Sequence, residues 1–208
     1  PYPEQLWNAA SEYFNSVVAQ TGSLPSSRYS CAQILKSRGL AFLRNRSLGE
    51  VCHIVQLALS QRKILGYAYG RVVPYSQSEE HMKKQCAAWQ QPVSEASAHA
   101  RPYATWEQFL VGLREILINS SDPAPGMVKM AQIKREFKSQ FDLELCETIF
   151  GHTGVRELLE DVRMHDFCML RPCGNGQFLV KLVCPVEQVA ASTTSLSQVL
   201  HGSRAMPL

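Results

Sequence analysis

The sequence predicts a mainly helical α+β protein made of two small units, and three observations carry that reading. Apolar residues recur at helical spacing in both halves. Each series of helical segments is followed by short apolar stretches around a turn, Ala68-Tyr69-Gly70 in the first half and Gly174-Asn175-Gly176 in the second. Between the halves, Gln90 to Pro102 is rich in Pro, Ser and Ala, lacks an apolar period and reads as a linker. The expected division is therefore a helical unit at 1–90, a linker at 91–104, a second unit at 105–184 and a flexible Ser/Thr-rich tail at 185–208.

In the first unit, Leu6, Ala10, Tyr13, Phe14, Val17 and Val18 form one stripe that ends near Gly22. A second helix is expected over Ser30 to Leu43. Ser47 and Glu50 have capping-box spacing and open a third, which buries Leu48, Val51, Ile54, Val55, Ala58 and Leu59. Ile64 to Tyr67 and Arg71 to Val73 read as a hairpin, after which Ser76 or Ser78 caps a last helix from about Glu79 to Gln90. Helices followed by a hairpin make this unit a candidate degenerate winged helix.

In the second unit Thr105 caps a helix to about Asn119, with Trp106, Phe109, Leu110, Leu113, Ile116 and Leu117 on one stripe. Met127-Val128-Lys129 reads as a short extended piece. The next helix places Met130, Ile133, Phe137 and Phe141 on one face and Lys134, Arg135 and Lys138 on the other. Leu143 to Phe150 is expected as a short third helix ended by Gly151. A fourth starts near Thr153 and carries Val155, Leu158, Leu159 and Val162. Phe167 to Arg171 and Gln177 to Val183 read as strands, with the inward face of the second left open. This order is that of a winged helix-turn-helix.

The 208 residues are 45% hydrophobic and 19% charged, as in ordinary globular proteins, and no apolar run reaches the ~20 residues that span a bilayer. The start, Pro1-Tyr2-Pro3-Glu4, does not read as a signal peptide. Seven scattered cysteines without a C-x-x-C pair argue against a zinc site or a disulfide framework, and suit reduced thiols in cytosol or nucleus. No G-x-S-x-G, P-loop or H-E-x-x-H occurs, so the expectation is a non-enzyme with neither cofactor nor metal.

Charge is uneven. Residues 1–104 hold 11 Lys and Arg against 6 Asp and Glu, whereas 105–184 hold 9 against 11. A basic surplus permits a polyanion partner. Arg44, Arg46, Arg62, Lys63, Arg71, Lys83 and Lys84 lie among Tyr67, Tyr69 and Tyr75, a mixture that suits RNA with exposed bases. The alternative is that the tyrosines finish a core and the cations scatter. In the second unit the candidates are Lys134, Arg135 and Lys138, then Arg156 and Arg163, then Arg171 and Lys181 at the wing. Each also reads as a solvated surface charge. Glu157, Glu160 and Asp161 beside Arg156 and Arg163 argue against insertion into a DNA major groove.

The stretch Met127 to His152, with Phe137, Phe141, Leu143, Leu145 and Gly151, resembles the heart of OST-HTH (LOTUS) domains. So does Val155 to Arg163 with its Leu158-Leu159 pair, followed by Phe167 and the strand Gly176 to Val180. Leu48 to Ala58 and Leu65 to Ser78 resemble the OST-HTH-associated (OHA) domain. The resemblance implies a binding role in post-transcriptional regulation, in cytoplasmic RNA granules or the nucleus, with G-rich or G-quadruplex RNA as ligand. It also implies the alternative of an adaptor that docks a DEAD-box helicase of the Vasa type.

Overall fold

The computed structural model of the protein describes residues 2–18, 24–93, 101–120 and 124–183. It is α+β and mainly helical. It divides into two compact units at Gln85/Cys86. The expected tail at 185–208, the middle of the expected linker and Gly22 lie outside the described residues.

In the first unit, α1 (Glu4–Tyr13) runs into a π turn at Phe14–Val18. Trp7, outside the predicted stripe, is buried with Leu6 and Ala10. The single helix expected over Ser30 to Leu43 is two elements. Ser27 caps α2 (Arg28–Ser37), accepting from the Ser30 N–H. Gly39 then adopts a φ of +63°, the left-handed stop that glycine supplies, and Ala41–Leu43 forms a separate 3-10 turn. The predicted capping box is present at α3 (Leu48–Ser60), where Ser47 and Glu50 satisfy each other's backbone N–H.

Strands β1 (Leu65–Ala68) and β2 (Arg71–Pro74) pair antiparallel with Ala68 opposite Arg71, so the turn is the two residues Tyr69-Gly70. Leu24 adds to the other edge of β2: its N–H donates to the Val72 carbonyl at 2.8 Å and its carbonyl accepts from the Val72 N–H at 3.0 Å. Ser78 caps α4 (Glu79–Ala88) by accepting from the His81 N–H, and Gln90, in the left-handed region, lies beyond its end. Leu6, Trp7, Phe14, Leu24, Leu35, Val51, Ile54, Val55, Leu65 and Val72 make the core.

In the second unit the paired structure begins before residue 105. The Ala104 N–H donates to the Glu144 carbonyl, and the Glu144 N–H to that of Pro102. Thr105 and Gln108 form a capping box on α5 (Trp106–Asn119). After β3 (Met127–Lys129), a 3-10 turn leads into α6 (Ile133–Phe141), which Asp142 ends in a left-handed conformation. The helix expected over Leu143 to Phe150 is mostly not helical. Leu143 and Leu145 are buried with Glu144 exposed between them, the period of extended chain, and only Glu147–Phe150 turns as 3-10 before Gly151.

Helix α7 (Val155–Leu159) is shorter than expected. The Asp161 side chain caps a new 3-10 turn at Val162–Met164, which leaves Val162 77% exposed and buries Met164 in the core instead. Strands β4 (Cys168–Gly174) and β5 (Gln177–Leu182) form the predicted hairpin, with Gly174, Asn175 and Gly176 all at positive φ. The sheet order is β3-β5-β4, antiparallel throughout. Cys31 and Cys168 are buried fillers, and burial pushes both thiols up to about 11.

Both units share one order: a helix, an edge segment, helical segments and a hairpin whose last strand pairs with that edge segment. This is winged-helix topology, and among the described residues the edge segment of the first unit is the bridge at Leu24. No described helix is long and apolar enough to cross a membrane.

Candidate nucleic-acid interface

Most cations predicted to meet RNA on the helices are already paired. Lys134 lies 2.5 Å from Oε2 of Glu147, a carboxylate only 8% exposed, so its charge serves a buried acid. Arg135 pairs with Glu136 at 3.1 Å. Arg156 pairs with Glu160 and covers the Phe178 ring at 4.4 Å. Arg163 holds Asp161 through both Nε and Nη2, and its guanidinium lies 3.9 Å from the Trp106 ring centre. Lys138 is exposed and makes no ion pair among the described residues.

The same holds in the first unit. Arg62 pairs with Glu4 and stacks over Trp7. Lys63 and Lys84 share Glu80 and flank the Tyr75 ring, so Tyr75 belongs to a surface network. Glu80 is accordingly held below the usual carboxylate range, first by its hydrogen bond from Lys63. Arg46 pairs with Glu50 over Tyr2. Arg44 and Arg71 are exposed, and Lys83 is half-buried.

The wing of the second unit is different. In β5, Val180 is fully buried, and its register partners Val128 and Leu170 also pack on the core. Side chains alternate along a strand, so the flanking positions face outward. The register sets them in two rows. Lys129, Leu179 and Arg171 lie side by side across β3, β5 and β4, and Met127, Lys181 and Met169 lie side by side in the next row. Three cations thus alternate with three apolar side chains on one sheet face about 10 Å wide, given strands ~4.8 Å apart. No carboxylate occupies the six positions, and none of the three cations has an ion-pair partner among the described residues.

Arg171 and Lys181 were legible as wing cations, but Lys129 was missed. The only available signal was its place after Val128 in the pattern Met127-Val128-Lys129, and that becomes informative only once β3 is known to pair with β5. The open question of which face of β5 turns inward is answered by Val180, with Phe178 and Leu182 on its side.

The cleft between α5 and α6 is lined by Asn119, Gln132, Arg135, Glu136 and Gln140 beside Ile116 and Val128. It mixes polar and apolar side chains, whereas a groove that receives a partner helix is mainly apolar.

Comparison with known proteins adds one assignment. No curated protein and no solved structure matches the chain. The OST-HTH module itself is not detected. Residues 19–89 match the family model of the OST-HTH Associated domain, which takes in the first unit from the edge segment through α4 and fits a post-transcriptional, RNA-related role.

Proposed function

We propose that the protein is a non-catalytic RNA-binding module of post-transcriptional regulation, that residues 105–184 are its OST-HTH (LOTUS) domain, and that the outward face of the β3-β5-β4 sheet is the RNA contact. The observation that carries this is the unpaired triad Lys129, Arg171 and Lys181, set on three strands of one face without a carboxylate among them. Cations free of internal partners can exchange condensed counterions for phosphates at no cost in broken ion pairs. Met127, Met169 and Leu179 between them offer apolar contact to exposed bases. A flat face of this kind suits G-rich or G-quadruplex RNA, whose tetrads are flat, with phosphates at the rim. The proposed site of action is the cytoplasm, in RNA granules, with the nucleus as the alternative.

The alternative is an adaptor, in which a DEAD-box helicase docks on the second unit; the α5–α6 cleft mixes apolar and polar side chains and does not single it out. The experiment that separates the two is RNA affinity of the triple variant Lys129→Gln, Arg171→Gln, Lys181→Gln. Affinity is expected to fall about tenfold or more, and the log–log salt slope to flatten by about 2, at ~0.7 per lost single-strand contact. The unfolding transition stays in place because all three side chains face away from the core. RNA binding indistinguishable from the parent would remove the sheet face from the account. Retained capture of a helicase by both proteins would then favour the adaptor.

A further inference from the structure

The tip of the β1–β2 hairpin presents an aromatic side chain where the fold has no use for one. Tyr69 is 91% exposed, and its ring makes no ring or cation contact among the described residues. It occupies the first position of the two-residue turn with a φ of +50°, followed by Gly70 at +69°. That position favours Asn, Asp or Gly, and a bulky side chain there is strained. Strain of this sort persists where the surroundings enforce it, and it points toward a use.

The surroundings do enforce it. The Tyr69 N–H donates to Glu79 Oε1 at 2.9 Å, which ties the turn to the start of α4. Below the turn, Gly66 of β1 lies against Ser78, so the hairpin is clamped between the core and α4. The ring therefore projects from a fixed base and loses little freedom on contact. From Arg62 to Lys84 the sequence carries five cations, Arg62, Lys63, Arg71, Lys83 and Lys84, against two carboxylates, Glu79 and Glu80, with Glu4 pairing Arg62 as a third, which leaves a surplus of two. A displayed ring in a region of net positive charge matches the chemistry of a base flanked by phosphates.

We infer that Tyr69 is a stacking platform for an RNA base presented outside a duplex, a second contact in addition to the sheet face of the other unit. The inference rests on the RNA reading above. A partner protein docking on the tip is the competing outcome.

The test compares the full chain with Tyr69→Asn and Tyr69→Phe, and with the sheet-face triple variant, against one G-rich RNA oligonucleotide in potassium. Tyr69→Asn relaxes the turn, so its melting temperature is expected to equal or exceed the parent's while its RNA affinity falls about tenfold. Tyr69→Phe keeps the affinity within about twofold. The salt slope of Tyr69→Asn matches the parent's, because stacking releases no counterions. Unchanged affinity in Tyr69→Asn, with the triple variant weakened, would overturn the stacking role alone. A parent that binds no RNA would overturn both readings.

Discussion

Replacing Gly66 by alanine is expected to cost the first unit about 3 kcal/mol, the upper end of the range for overpacking. A Cβ at this position would stand 2.4 Å from Ser78 Cβ and 2.7 Å from Ser78 Oγ. The closer atom belongs to a position fixed by the backbone, so no rotamer change relieves it. Ser78 is fully buried, and its hydroxyl donates to the Tyr75 carbonyl at 2.7 Å while accepting from the His81 N–H at 3.2 Å. Relief requires the turn at Tyr75–Gln77 to leave the strand, which strains the bond from the Tyr75 N–H to the Ile64 carbonyl at 2.9 Å. Urea unfolding followed by circular dichroism measures the loss. Adding Ser78→Gly removes the obstructing Cβ, so the double variant should recover much of the loss despite its weaker cap. A single Gly66→Ala variant within about 0.5 kcal/mol of the parent would show that α4 does not clamp the hairpin.

Asp161→Ala is expected to cost about 2 kcal/mol, in the range for hydrogen bonds to charged groups. The carboxylate is 11% exposed and accepts from the Arg163 backbone N–H at 2.8 Å, from Arg163 Nε at 3.0 Å and from Nη2 at 2.6 Å. It also lies 2.8 Å from His152 Nε2. Removing it frees the guanidinium that covers Trp106, which itself packs on Phe109 and Phe150. The effect should therefore appear in tryptophan fluorescence as well as in stability.

The pH dependence of this residue follows from its charge partners. The hydrogen bonds from Arg163 hold the Asp161 carboxyl far below its ordinary value of 3.8. A depressed folded-state pKa stabilises the fold in full above the unfolded value, and the contribution disappears as pH falls through the folded one. The stability gap between parent and Asp161→Asn should narrow as pH falls below about 4. A gap that widens below about pH 4 would contradict this account of Asp161.

The fold was legible where one strong local signal decided it. The stripes of α3 and α5, the Ser47–Glu50 box and the Gly174-Asn175-Gly176 turn each depend on residues within a few positions of one another. Legibility failed where two periods competed. Leu143, Leu145 and the residues up to Phe150 fit a short helix until Asp142 turns left-handed and the chain leaves α6 extended toward Pro102. Val162 continued an apolar stripe that Asp161 interrupts by capping the next turn.

The candidate site was less legible, for a physical reason. A sequence shows its cations without their partners. Arg62 meets Glu4 and Lys134 meets Glu147 only after folding, whereas Lys129 joins the sheet face of Lys181 and Arg171 only when β3 pairs with β5, far along the chain. The resemblance of Leu48 to Ala58 and Leu65 to Ser78 to the OST-HTH-associated domain was legible in the sequence, and residues 19–89 match that family model.

The most direct measurement is fluorescence anisotropy of the full chain with a G-rich RNA, folded in potassium and largely unfolded in lithium, over a salt series. Tighter binding in potassium is expected, with a log–log salt slope of about −2 or steeper, as three sheet-face phosphate contacts require. Absence of binding to either form at low salt would contradict the RNA reading and leave the second unit as a protein-docking module.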